Sequence, residues 1–435
     1  MSATGTAGPS AASSPQTMGH ACLIAACTIG NALEFYDFVI FSFFARTIGA
    51  LFFPAQDPTA QLLMAFATYG VGFFLRPLGG VVLGAYADRK GRKTATLLTL
   101  ALMALGTCMI GLAPAHATAG MAGALIVLLG RLLQGFSAGG EVGASTTLLV
   151  ERAPFHRRGF FGSWQLASQG LGVTAAAAVA FAITALLPAA DVMAWGWRLA
   201  FLLGALIVPV GLWLRAALEE SHANEADART RSVSSLRVAV RQFPHRIAAG
   251  VGLVIGGTAA NAIVVLYMAT YAVMQLHLPP QAGLLSGIVG GLATILAAPA
   301  GGAISDRVGR KPVILISYLM MLGLIYPAFL VLNAVPSVSA LLWVVALLSA
   351  VNAAGAATVV LTLPEIFPIE ARATGMSLVY ALGVAIFGGF GQFIVTWLIQ
   401  ATGNPLAPAW YVMACALATI VALNAIPEMR GRKLV

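Results

Sequence analysis

Five charged residues lie inside strongly apolar runs, and they are the side chains best placed to do chemistry. Glu34 and Asp37 sit in a run near 21–48, Arg76 in one near 60–86, and Arg131 and Glu141 in one near 120–149. Glu34 and Asp37 are three residues apart and Asn31 lies one turn earlier, so a helix places all three on one face. Arg131, Gln134 and Glu141 fall within about 80° of arc at 100° per residue. At 1.5 Å per residue, Arg76 and Arg131 each stand roughly 15 Å from an end of their run. There a charge costs at least about 2.5 kcal/mol and is by default a functional hypothesis. Three acids against two arginines leave one carboxyl without a cation, and in a low dielectric such a group is more stable protonated. If a solute drew an arginine away, its carboxyl partner would have to take up a proton. That exchange would couple solute movement to protons through Glu34, Asp37 and Glu141. Guanidinium binds carboxylate in a two-point fork, so Arg76 and Arg131 favour an anionic solute. A static ion-pair network that only sets helix register is the competing account.

The elements that must carry these residues are membrane spans. The chain is 59% hydrophobic and 9% charged, against about 25% charged in a water-soluble domain. Twelve apolar runs long enough to cross a bilayer lie near 21–48, 60–86, 94–113, 120–149, 160–187, 198–217, 247–275, 281–304, 313–333, 339–363, 374–400 and 408–427. The expected fold is all-α and integral to the membrane. Of the 24 lysines and arginines, 20 fall in alternate loops and the C-terminal tail. By the positive-inside rule that face is cytoplasmic, with both termini on it. The net charge of +9 is thereby topogenic and gives no reason to expect a nucleic-acid partner. Glu34 and Asp37 make the first run a poor signal peptide. Cys22, Cys27, Cys108 and Cys415 all fall within spans, without metal-ligand or disulfide spacing. Every lysine follows an arginine, so no Gly-Lys dipeptide and no phosphate-binding P-loop exists. Transport would draw on a gradient or a partner subunit; no cofactor, metal or catalytic residue is expected.

Two motifs repeat at nearly one offset. Gly84-x-x-x-Asp88-Arg89-x-Gly91-Arg92-Lys93 returns 218 residues later as Gly302-x-x-x-Asp306-Arg307-x-Gly309-Arg310-Lys311. Glu151-x-x-Pro154-x-x-x-Arg158 returns 214 residues later as Glu365-x-x-Pro368-x-x-x-Arg372. The chain therefore divides into a polar tail (1–17), a six-span half (18–217), a polar linker (218–246), a second six-span half (247–428) and a basic tail (429–435), a known transporter symmetry. A surface-lying helix is expected around Ser235 to Phe243. Gly84 and Gly302 would let backbones approach. Asp88 and Asp306, at the mouths of their spans, can meet the positive end of a neighbouring helix. Such a contact, made in one conformation and broken in another, would act as a gate with Arg89, Arg92, Arg307 and Arg310. Topogenic charge alone would not need the Asp and two Gly twice.

The halves are unequal in charge: the six spans of the second contain no Asp, Glu, Lys or Arg. Gln165, Ser168, Gln169 and Gly172 form one polar helical face in span 5, which could line an aqueous cavity or bond to another helix. In the second half Tyr267, Thr270 and Tyr271, and then Tyr380 and Phe387, form uncharged faces that would shape a site or simply pack. Gly135, Gly139 and Gly143 form a small-residue ridge for close helix packing.

These residues resemble the major facilitator superfamily. The doubled loop is similar to its loop 2–3 signature, and Arg131-x-x-x-Gly135-x-x-x-Gly139 to its span 4 signature. The resemblance implies twelve transmembrane helices in two six-helix bundles, a midplane site, and alternating access with Asp88 and Arg92 in gating. Within it, Gly30-Asn31-Ala32-Leu33-Glu34-Phe35-Tyr36-Asp37-Phe38, Arg76-Pro77-Leu78-Gly79, Gly130-Arg131-Leu132-Leu133-Gln134-Gly135 and Phe387-Gly388-Gly389 resemble the metabolite–proton symporters. Ser163-Trp164-Gln165-x-Ala167-Ser168-Gln169 looks most like those for citrate and tricarballylate. The implied function is proton-coupled import of a tricarboxylate or related dicarboxylate by a monomeric unit in the bacterial inner membrane. The implied substrate contacts are Asn31, Arg76, Arg131, Gln165, Ser168, Gln169, Tyr267 and Tyr380. Other metabolites (2-oxoglutarate, shikimate or a betaine) remain alternatives, as does an efflux antiporter. Against efflux, span 5 carries no proline from Phe160 to Leu187. A sensor that binds without flux is a third class. One departure stands out: the family's proline after Phe-Gly-Gly is Gln392 here. Span 11 is then expected to be straighter, or to turn a new donor toward the site.

Overall fold

The computed structural model describes residues 20–90, 92–140, 146, 149–150, 153–205, 243–368 and 372–429. Among them every regular element is helical. The first half contributes α1 (His20–Phe43), α2 (Ala45–Phe52), α3 (Pro58–Phe74), α4 (Arg76–Lys90), α5 (Arg92–Leu112), α6 (Met121–Ser137), α7 (Arg158–Leu186) and α8 (Trp197–Gly204). The second contributes α9 (Pro244–Met274), α10 (Pro280–Val308), α11 (Arg310–Ala334), α12 (Val338–Ile366), α13 (Arg372–Gly383), α14 (Gly391–Thr402) and α15 (Ala407–Leu423). Among the described residues seven spans are long and apolar enough to cross a bilayer, an eighth is α1 with α2, and α6, α15 and Leu97–Leu112 are shorter apolar helices. The sixth expected span begins in α8. The 1–17 tail, the linker from 218 to 242 with most of the surface helix, the basic tail from 430, Gly143 and Glu141 lie outside the described residues.

Sequence explains where the spans break. Asp57 caps α3 by accepting from the amides of Thr59 and Ala60, and Pro58 opens the first turn. α3 yields to α4 at Leu75 because Pro77 has no amide hydrogen to offer the Phe73 carbonyl. That break sets Arg76 at the head of a new helix. Contrary to the expectation of one helix over 21–48, α1 and α2 meet at 61°. Span 11, which lacks the proline, continues as one apolar span over Gly375–Thr402. A π-helical stretch over Val384–Gly389 and a break at Phe390 separate α13 from α14. Gly309, at φ 111°, makes the turn between α10 and α11, which explains the glycine of the repeated loop.

The halves meet on two seams. α7 packs along α10, and α3 packs along the π stretch and α14. Within the first half, α6 packs on α3 and α4 through the expected small-residue ridge. A Cβ on Gly135 would overlap the Gly72 carbonyl, and one on Gly139 would overlap the Arg76 carbonyl. α1 lies against α7 and α8.

Candidate functional site

The ridge on α6 brings Arg131 and Arg76 close to α1, and the embedded charges divide into two groups. Asp37 is 0% exposed, packed against Gly204 of α8, and accepts a 2.8 Å hydrogen bond from the Thr107 hydroxyl. Thr107 in turn accepts from Gln134 Nε2 at 2.8 Å, and Gln134 Oε1 accepts from Arg131 Nη1 at 2.8 Å. A continuous chain of three hydrogen bonds thus runs from guanidinium to carboxylate across α6, α5 and α1. Arg131 also donates to the Phe38 carbonyl, and its guanidinium lies 4.1 Å from the Phe41 ring centroid and 4.8 Å from that of Tyr69. The second group forms around Arg76, whose guanidinium sits between the rings of Phe38 (4.3 Å) and Phe73 (4.2 Å). Glu34, Tyr380 and Tyr69 are its electrostatic neighbours. Stacking on desolvated rings is worth about 2 kcal/mol and offsets part of the cost of burying each cation.

Between the halves lies a cavity. On the first-half side its wall includes Phe35, Tyr69, Phe73 and Gln169; on the second-half side, Gly257, Asn261, Tyr318, Asn352 and Tyr380. Gln169 Nε2 donates to the Tyr380 hydroxyl at 3.1 Å, joining the halves at the cavity wall. Among the described residues no charged side chain lines the cavity. Arg76 and Arg131 lie one layer behind it, because the rings they stack on, Phe73 and Tyr69, are themselves the wall. Their charge reaches the cavity through a low-dielectric aromatic layer, where fields are weakly screened.

The other expected substrate residues part company. Asn31 donates to Ser168 Oγ at 2.6 Å and Ser168 donates to the Gln165 carbonyl, so these residues bind α1 to α7 inside the first half. Gly172 packs on the Ala32 carbonyl. Of the polar face on α7, Gln169 alone lines the central cavity. Tyr267 lines a different cavity, with Thr59, Gln275, Thr396 and Gln400. Gln392 is buried and its Oε1 accepts from Ser42 of α1 at 2.7 Å, a hydrogen bond between halves rather than a donor to the central cavity. Cys108 and Cys415 are free thiols.

At one end of the seam the second repeated loop behaves as its chemistry suggests. Asp306 accepts from the amides of Gly159 (2.7 Å) and Phe160 (3.0 Å), at the amino end of α7 in the opposite half. Arg310 pairs with Asp306 at 3.0 Å and with Glu365 at 3.1 Å, uniting both repeated motifs. Glu428 accepts from the amides of Arg310 and Lys311 and so caps α11. Arg307 is exposed. A Cβ on Gly302 would overlap the Gly159 carbonyl, as close approach requires, whereas among the described residues one on Gly84 would meet nothing within 4 Å. The expected close approach is therefore made by the second copy and not by Gly84 in this conformation. The side chains of Asp88, Arg89 and Arg92 lie outside the described residues.

Sequence reasoning passed over Thr107, Tyr69, Tyr318 and Asn352. Each is one of several uncharged polar side chains in its helix, so nothing in the sequence set it apart.

A two-half bundle of spans with a cavity between the halves and buried charges behind its wall defines a membrane carrier rather than an enzyme. A family model described as sugar (and other) transporter matches residues 21–230 and again 214–435. The chain belongs to this family, within the major facilitator superfamily. It is 39% identical over 401 residues to a citrate-proton symporter of Klebsiella pneumoniae, covering 91% of this chain and 89% of the relative. It is 32% identical to an alpha-ketoglutarate permease of Escherichia coli, covering 94% of this chain and 95% of the relative. Among solved structures, the partially occluded inward open xylose transporter XylE of E. coli aligns with a TM-score of 0.75 at 19% identity. That alignment covers 95% of this chain and 99% of the other. It is a likeness of fold.

Proposed function

We propose that this chain is a proton-coupled importer of citrate or a closely related di- or tricarboxylate, working by alternating access in the bacterial inner membrane as a monomer with both termini cytoplasmic. The observation that carries this reading is that each arginine behind the cavity wall is linked to a buried acid. Arg131 is tied to Asp37 through Gln134 and Thr107, and Arg76 has Glu34 among its electrostatic neighbours. An anion entering the cavity draws the guanidinium charge toward itself. The acid left behind is then more stable neutral and takes a proton. Solute and proton would travel together, because neither charge change is favourable alone in a low dielectric. The resemblance to citrate-proton symporters supports the solute class. Asp306 and the amino end of α7 would hold one end of the seam shut until the loaded carrier rocks, with Arg310 keeping Asp306 in place. Gly84, Asp88, Arg89 and Arg92 would serve the α4 side in the same way.

The test is uptake of labelled citrate into proteoliposomes with and without an inward proton gradient. Gradient-stimulated accumulation is expected in the parent, and none against a gradient in Asp37→Asn. Accumulation by Asp37→Asn equal to the parent's would remove Asp37 from the coupling step. Gradient-driven loss of preloaded citrate would instead indicate export, and saturable binding without flux a sensor.

A further inference from the structure

The second-half wall of the cavity holds two polar groups that the scheme above does not use. Tyr318 is 1% exposed and Asn352 is 5% exposed, and both line the cavity. Among the described residues the Tyr318 hydroxyl has no hydrogen-bond partner, and neither has Asn352 Oδ1. The two converge on one residue. Asn352 Nδ2 donates to the Gly257 carbonyl at 3.2 Å, and the Tyr318 hydroxyl lies 2.7 Å from where a Cβ on Gly257 would stand. Gly257 thus makes room for the phenol and, since a carbonyl can only accept, orients the amide so that Oδ1 is the free end. Buried polar groups in native proteins are nearly always satisfied, so two orphans on one cavity wall, both packed on Gly257, point to a ligand.

Their chemistry says which part of the ligand. A phenol can donate, and Asn352 Oδ1 can only accept. An alcohol satisfies both at once, accepting from Tyr318 and donating to Asn352. A carboxylate does not: it has no proton for Asn352 Oδ1, and oxygen would face oxygen. The wall carries no cation to offset that repulsion. We propose that Tyr318 and Asn352, set by Gly257, form a neutral subsite for the alcohol of a hydroxy-carboxylate. The carboxylates then lie toward the Arg76 and Arg131 side. This deepens, and rests on, the reading of the chain as a carboxylate importer. It makes the carrier selective for a hydroxylated tricarboxylate over its deoxy counterpart.

Citrate and tricarballylate differ by that one hydroxyl and supply the experiment. A site built to bond a hydroxyl discriminates strongly against the analogue lacking it, so the parent should favour citrate in kcat/KM by at least about tenfold. Tyr318→Phe removes only the hydroxyl, which bonds nothing in the protein, so the fold is expected to survive. It should lower citrate uptake more than tricarballylate uptake and bring the ratio toward one. Thermal stabilisation of the purified protein by each acid should follow the same pattern in parent and variant. Transport of both acids at equal efficiency by the parent, or an unchanged ratio in Tyr318→Phe, overturns the subsite while leaving the importer intact. Uptake of neither acid by the parent overturns the importer itself, and the subsite with it.

Discussion

Removing the carboxylate of Asp306 should release one end of the seam between the halves. Asp306 accepts from two consecutive amides, at 2.7 and 3.0 Å, where α7 presents its first unpaired N–H groups. Its side chain is 9% exposed, so solvent screens the contact weakly. A carboxylate in a partly buried setting at a helix amino end is worth up to about 2 kcal/mol, equivalent to ~30-fold in an equilibrium constant. Because the contact joins α10 of one half to α7 of the other, that energy belongs to the state in which this end is closed. Arg310 keeps Glu365 as a partner when Asp306 is lost, so the local structure should persist. In Asp306→Ala the population open at this end should therefore rise by up to ~30-fold. The readout is the rate at which a membrane-impermeant maleimide modifies Val359→Cys, a cavity-lining position, in a background lacking the natural cysteines. Labelling from the Asp306 side should accelerate, and labelling from the opposite side should not. An unchanged rate from the Asp306 side would refute the assignment of this contact to a gate and leave it a packing detail.

Three further outcomes are expected. Thr107→Val keeps the shape of the side chain but cuts the chain between Gln134 and Asp37. Proton-driven accumulation should fall by at least tenfold while solute exchange in counterflow persists, about 1–3 kcal/mol of lost coupling through two unsatisfied buried groups. Gly135→Val would force a side chain into the Gly72 carbonyl. Overpacking of this kind costs about 1–3 kcal/mol or more, so the melting temperature in detergent should drop in size-exclusion assays. Gln392→Ala removes the hydrogen bond to Ser42 between the halves, about 1 kcal/mol. Spin-label distances between α1 and α14 should show a correspondingly larger separated population.

The gross architecture was legible because lipid leaves few choices. In a bilayer every backbone group must bond within its own segment, so apolar length reports the spans. The duplicated loop exposed the two halves, and an aspartate at a span mouth can meet a helix amino end, as Asp306 does in α7. The bend between α1 and α2 and the π stretch in span 11 were not legible. Both depend on what packs beside the helix.

At the site, residue types alone marked Glu34, Asp37, Arg76 and Arg131 as costly to bury. Helical periodicity also put Asn31, Glu34 and Asp37 on one face of α1. Periodicity ends at the helix surface, however, and says nothing about what lies opposite. Only the tertiary structure decided that Asn31 meets Ser168 within its own half, that Asp37 reaches Arg131 through Thr107, and that both arginines stand behind aromatic rings. Tyr318 and Asn352 are 34 residues apart in sequence and converge only because α11 and α12 both pack around Gly257 of α9. One-dimensional spacing carries the cost of burying a polar group; which partner or solute relieves that cost is set by which helices the fold brings side by side.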